Sequence, residues 1–151
     1  MKDQKEIIEE LNGLVNILND GKIGYKECIS NVKSEKLKSH FLEFSNQRQE
    51  MASELKLTID GLGGNSENQE GGILGVMHRT WMDVKKVFST NDDEAILNAI
   101  ATGENVAVDK YEMVLKELTN QAAIHQVVNQ QLTMIKTTLN NIEGLKLVYK
   151  D

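Results

Sequence analysis

The sequence predicts an all-α protein: a bundle of four long amphipathic helices, with a shorter helix between the second and the third. Three observations carry this. The chain has no proline and only 5% aromatic residues, while Leu, Ile, Lys, Glu, Gln and Asn are abundant, so little in it punctuates a strand-rich fold. Apolar residues recur at three- and four-residue spacing over stretches of about thirty residues, the period of a helix with one buried face. Clusters of Gly, Ser, Asn and Asp separate those stretches.

The first stripe is Ile7, Leu11, Leu14, Leu18, Tyr25, Ile29 and Val32, with Gly21 at the step between Leu18 and Tyr25. Gly21 and Gly24 each cost about 1 kcal/mol against Ala inside a helix. The apolar phase is the same on both sides of them, so the spacing predicts one helix over 4–32, with close packing or a bend at the glycines. The alternative is a break at Asp20-Gly21. Ser34 is the expected cap of a second helix over 34–62, with Glu35 in its first turn. Its stripe is Leu37, Phe41, Phe44, Arg48, Met51, Leu55, Thr58 and Leu62, and it stops at Gly61-Leu62-Gly63-Gly64.

Residues 64–71, GNSENQEG, form the one polar, glycine-rich stretch and predict a loop. Behind it Ile73, Met77, Trp81, Val84 and Phe88 mark a shorter crossover helix over 72–89, with His78, Arg79, Lys85 and Lys86 opposite. A basic amphipathic helix can lie on a membrane surface. In an acidic chain with a core to cover, packing on the protein itself is the preferred expectation. Asn91 or Thr90 is the expected cap of a third long helix over 92–118, opening Asp92-Asp93-Glu94, with the stripe Ile96, Ile100, Gly103, Ala107, Tyr111, Val114 and Leu118. The fourth, over 120–148, carries Ile124, Val128, Gln131, Ile135, Leu139 and Ile142, with Tyr149 beyond its end.

The length of 151 residues suits one domain, 1–151, with a core that needs no disulfide or structural metal. Short turns make the first and second helices, and the third and fourth, antiparallel neighbours. The 64–91 connection is long enough to run back along the bundle, which is the ferritin-like topology. A net charge of −6 argues against nucleic acid as a partner, because phosphate binding needs clustered Lys and Arg. Cys28 is the sole cysteine, so no internal disulfide or thiolate cluster can form, and a small packing role is expected. MKDQKEIIEE lacks a signal peptide's apolar run and no segment reaches a membrane span of about 20 apolar residues. A soluble cytoplasmic protein is the expectation.

Four stretches resemble a known family: LNDGKIGYKE at 18–27, LKSHFLEFSNQRQEMASEL at 37–55, HRTWMDVKKVF at 78–88 and GENVAVDKYEMVL at 103–115. They are similar to the bacterial ferritin-like four-helix-bundle proteins defined by a domain of unknown function, number 2383, over nearly the whole chain. That resemblance implies the fold, loosely a stress or housekeeping role, and almost no mechanism. Where family members often carry a histidine in a stretch like IKTTLNN at 135–141, this chain has Leu139, and Asn46 stands where an acidic residue is common.

A ferritin-like dimetal site needs inward carboxylates and Glu-x-x-His pairs on facing helices. The chain contains no Glu-x-x-His, and His40, His78 and His125 belong to three different helices. Glu27, Glu50, Asp109 and Glu112 point away from their stripes. Glu104 lies roughly 60° from its stripe centre, near the inner boundary. Arg48, Glu104, Gln131, Tyr25 and Tyr111 are therefore the candidate polar core layer, with Arg48, Glu104 and Gln131 near mid-height. An Arg48–Glu104 ion pair joined by Gln131 is the expected replacement for a metal site, because a fixed guanidinium repels a dication and satisfies a carboxylate itself. The sequence thus predicts no catalytic residue and no cofactor. The alternative is an atypical iron or other transition-metal site using Glu104, Tyr25 and His125. Ile23, Leu42, Leu57 and Met82 point away from their stripes and are the candidate surface for a homo-oligomer or an unidentified protein partner.

Overall fold

The computed structural model describes residues 3–65 and 81–149. Within them the chain forms α1 (Gln4–Ile29), α2 (Glu35–Gly61), a helical segment over 81–86 called α3 here, a 3₁₀ turn (Val87–Thr90), α4 (Asp93–Lys116) and α5 (Ala122–Val148). No strand occurs among the described residues. α1 packs along α2 and α4 along α5, and lighter α1–α4 and α2–α5 contacts close the bundle.

Capping chemistry sets most of the boundaries. Asp3 accepts from the Glu6 amide at 2.8 Å and starts α1, and Ser34 accepts from the Leu37 amide at 3.2 Å and starts α2. α1 ends at Ile29, short of the expected Val32, because the Asn31 and Val32 amides both turn back onto the Cys28 carbonyl, at 2.9 and 3.0 Å. Val32 is buried all the same. The cap of α4 is Asp92, which accepts from the Glu94 and Ala95 amides, and not Asn91 or Thr90. Asn91 instead takes a left-handed conformation, φ 54°, that closes the 3₁₀ turn. Asp93 accepts the Lys33 and Ser34 amides at 3.0 and 3.2 Å, and Ser34 Oγ lies 2.6 Å from Tyr149 Oη. The α1–α2 turn is thereby tied to both other long helices.

Three stripe positions differ from expectation. Ile59 is fully buried where Thr58 was expected, and the Thr58 hydroxyl folds back on the Glu54 carbonyl. In α5, Thr138 and Leu145 are buried and Leu139 is only half-buried. In α2 the move from Thr58 to Ile59 is the drift of a 3.6-residue turn against a seven-residue count, whereas in α5 Ile124, Gln131, Thr138 and Leu145 keep that count and Leu139 lies off it.

No break occurs at Asp20-Gly21, and α1 runs through both glycines as one helix. A Cβ on Gly24 would stand 2.2 Å from Trp81 Cε3, and one on Gly21 would stand 3.3 Å from Arg48 Nη1. The two glycines are notches for the largest side chains that cross α1. Trp81 fills the first, is buried, and with the Lys85–Glu27 ion pair at 3.2 Å holds α3 against α1. Lys86 pairs within its own helix with Asp83. Most of the expected 64–71 loop and the 72–80 part of the crossover helix, with His78 and Arg79, lie outside the described residues. No helix among the described residues is long and apolar enough to cross a membrane.

A buried polar layer as the candidate functional site

Arg48 sits on the apolar stripe of α2 between Phe44 and Met51, and helical geometry alone turns it inward. Its stem is too far inside for the head to reach water, and the residue is 1% exposed. Its partner comes from α4: Arg48 Nη2 donates to Glu104 Oε2, and Glu104 is 0% exposed. Beneath the guanidinium lies the Tyr25 ring, 5.7 Å from Arg48 Cζ to the centroid. Phe41, Phe44 and Trp81 surround Tyr25 at centroid distances of 5.8, 5.4 and 5.3 Å.

This enclosure sets the electrostatics. Burial works against the charge on Arg48, but Glu104, and Tyr25 after it, hold the guanidinium proton more tightly than usual. The Tyr25 hydroxyl is pushed well above its ordinary range, first by burial and then by the Glu104 charge, with Arg48 opposing. Tyr25 is therefore a neutral phenol at physiological pH. The Glu104 carboxylate is close enough to add to that shift, although no hydrogen bond to the Tyr25 hydroxyl is formed. Tyr25 Oη, Arg48 Nη1 and Glu104 Oε1 are all buried without a hydrogen-bond partner among the described residues.

Gln131 does not join this pair. Its side chain accepts from Tyr111 Oη at 2.8 Å and donates to the Met51 carbonyl at 3.0 Å and to Glu54 Oε1 at 2.8 Å. The Tyr111–Gln131 bond fixes the antiparallel register of α4 and α5. Going back seven residues on α4, to Glu104, means going forward seven on α5, to Thr138. Thr138 is buried, and its hydroxyl bonds the Met134 carbonyl at 3.1 Å and Gln47 Oε1, beside Arg48, at 3.5 Å. The expected single layer is thus two tiers: an ionic one of Tyr25, Arg48 and Glu104, and a neutral one of Tyr111 and Gln131, two helical turns away along α4. Burial first, and the charges of Glu54 and Glu104, also raise the Tyr111 hydroxyl, against the opposing charge of Arg48.

Sequence reasoning missed two participants. Glu54 is about 100° from the centre of its stripe, a position that reads as solvated, and only its long side chain brings it to Gln131. Thr138 escapes notice because the step from Ile135 to Ile142 counts equally well through the more apolar Leu139.

The described residues of the two tiers do not fit a dimetal centre. Glu104 is engaged by a permanent cation, and the tyrosine beside it is neutral. His125 lies about 20 Å along the bundle from Glu104 by the same register count, and His40 stacks on Phe44 at 6.0 Å. The alternative set of Glu104, Tyr25 and His125 is therefore not brought together. No group of three or more His, Cys, Asp or Glu able to hold a metal occurs among the described residues. Asn46 is exposed.

Comparison with known proteins agrees with the topology. The profile of the family described as Domain of unknown function (DUF2383) matches residues 6–117, from α1 to the end of α4. The structure of a Dps1 point mutant from Mycobacterium smegmatis is similar at a TM-score of 0.76, with 14% identity over 97% of this chain and 99% of that one. Likeness at that identity speaks for the ferritin-like fold alone. Among curated proteins nothing matches.

Proposed function

The chain belongs to the DUF2383 family of ferritin-like proteins, and from that premise we propose that it is a non-enzymatic cytoplasmic bundle that acts through self-association or partner binding. The observation that carries this reading is the fully buried Arg48–Glu104 pair. A guanidinium takes the place a metal would need, repels a second cation, and uses one of the carboxylate oxygens. Such a pair adds little net stability but specifies how helices align, since every register that separates its members strands a charge. Ile23, Leu42, Leu57 and Met82, each about half exposed or more, are the residues offered to a second copy or a partner protein.

Metal analysis of the purified protein, followed by thermal shifts with iron, manganese and zinc, tests the reading, because a ligand that binds only the folded state raises Tm. The expected result is no stoichiometric metal and no shift. Stoichiometric metal that is lost in both Glu104→Ala and Glu104→Gln would establish the competing reading, a metal-binding or metal-oxidising protein, and overturn this one. Light scattering with and without Leu42→Glu and Leu57→Glu tests self-association, and an unchanged mass removes those positions from the interface.

A further inference from the structure

We propose that a trapped water molecule is a fixed member of the ionic tier, held between Arg48 Nη1, Glu104 Oε1 and the Tyr25 hydroxyl. Each of these atoms is buried and unpartnered among the described residues, and an unmade hydrogen bond in the interior carries the full cost of desolvating the group. Three such atoms in one place need a common explanation.

The contacts of the tier bring their side chains together. Arg48 Nη2 and Glu104 Oε2 are bonded to each other, so Nη1 and Oε1 are the two free corners of one ion pair. Tyr25 lies under the guanidinium and turns its hydroxyl toward the carboxylate. The chemistry of the three is complementary to one molecule of water. Arg48 Nη1 can only donate, Glu104 Oε1 can only accept, and a tyrosine hydroxyl does either. A water accepts from Nη1, donates to Oε1, and exchanges its remaining bond with Tyr25 Oη, which gives the three bonds usual for an internal water. With Tyr25, Arg48 and Glu104 each at most 1% exposed, the site is closed off from bulk solvent.

This site goes beyond the proposed function and is independent of whether the bundle finds a partner. It changes the nature of the pair: Arg48 and Glu104 are bonded directly at one corner and through water at the other, so the layer is wet at its centre. Tyr25 becomes the residue that positions the water.

The test is a crystal structure of the full chain at near-atomic resolution, with anomalous data collected at the iron and zinc edges. The expected result is a density peak without anomalous signal, at hydrogen-bond distance from Arg48 Nη1, Glu104 Oε1 and Tyr25 Oη. No peak, with the Tyr25 hydroxyl bonded directly to Glu104 Oε1, would overturn the water and leave the proposed function standing. An anomalous peak at the same position would overturn both.

Discussion

The two polar tiers of the bundle differ in how they meet their hydrogen-bonding needs. In the neutral tier, Gln131 engages both ends of its amide, and the network runs out through Glu54 to the surface. The ionic tier is sealed by aromatic rings and leaves three polar atoms without partners among the described residues. The neutral tier behaves as ordinary core with a polar lining, whereas the ionic tier is a site whose members depend on one another. Coupling of this kind shows up as non-additivity.

The largest expected effect follows from that dependence. Arg48→Met leaves Glu104 charged and unpaired in the interior, and its expected cost is about 3–5 kcal/mol in denaturant unfolding. The double variant Arg48→Met with Glu104→Leu removes both charges and recovers most of the loss. Equal losses in the single and double variants would mean that the two residues do not act as a unit.

Gly24→Ala strikes the wall of the same tier. Its Cβ would stand 2.2 Å from Trp81 Cε3, far inside contact distance of a ring that lies edge-on to Tyr25, so the indole must leave its notch. Overpacking of this kind costs about 1–3 kcal/mol, and the Trp81 fluorescence is expected to shift to the red as the ring meets water. Trp81 is the chain's single tryptophan, so the emission reports this site alone. An unshifted spectrum would show that α3 is seated by something other than this ring.

The neutral tier is expected to lose less. Gln131→Leu leaves the Tyr111 hydroxyl without its acceptor, at about 1–2 kcal/mol for one unsatisfied buried group. The effect should add to that of Arg48→Met within a few tenths of a kcal/mol, since the tiers share no hydrogen bond. Strong coupling between the two would join them into the single layer that the sequence suggests.

Alkaline pH probes the ionic tier from another side. The Tyr25 hydroxyl titrates well above 10 in the folded chain and near 10 when unfolded. Above pH 10 the unfolded state therefore binds fewer protons than the folded one, and stability falls as pH rises. At neutral pH both states hold the proton and Tyr25 contributes no slope. Tyr25→Phe is expected to flatten the alkaline limb by about one proton, or about 1.4 kcal/mol per pH unit.

Much of this was legible because helix period is a local property. Each long helix follows from its own stripe, the Ser34 cap from its own position, and the inward direction of Arg48 and Glu104 from their phase on α2 and α4. What the sequence did not disclose is relative height. Counting from turns placed Gln131 beside Arg48, whereas the register fixed by Tyr111 and Gln131 brings Thr138 there. An error of two turns is invisible in either helix alone, because both positions face inward. Glu54 was hidden for a related reason, since it enters the site by the reach of its side chain and not by its angle. The meaning of Gly21 and Gly24 was equally non-local: the residues that need those notches, Arg48 and Trp81, come from other segments.

Gly21 offers the smallest effect and the finest test of the ionic tier. Alanine there gains up to about 1 kcal/mol of helix propensity. Its Cβ would meet Arg48 Nη1 at 3.3 Å, so the guanidinium must give way by a few tenths of an ångström. In the unmodified chain it is pinned by Glu104 on one side and Tyr25 beneath, and Gly21→Ala is expected to bring no gain. In the Arg48→Met, Glu104→Leu background a flexible thioether replaces the pinned group, and the same substitution should stabilise by about 0.5–1 kcal/mol. A gain of equal size in both backgrounds, read from denaturation midpoints, would show that Arg48 is free to move and that the ionic tier is looser than its geometry.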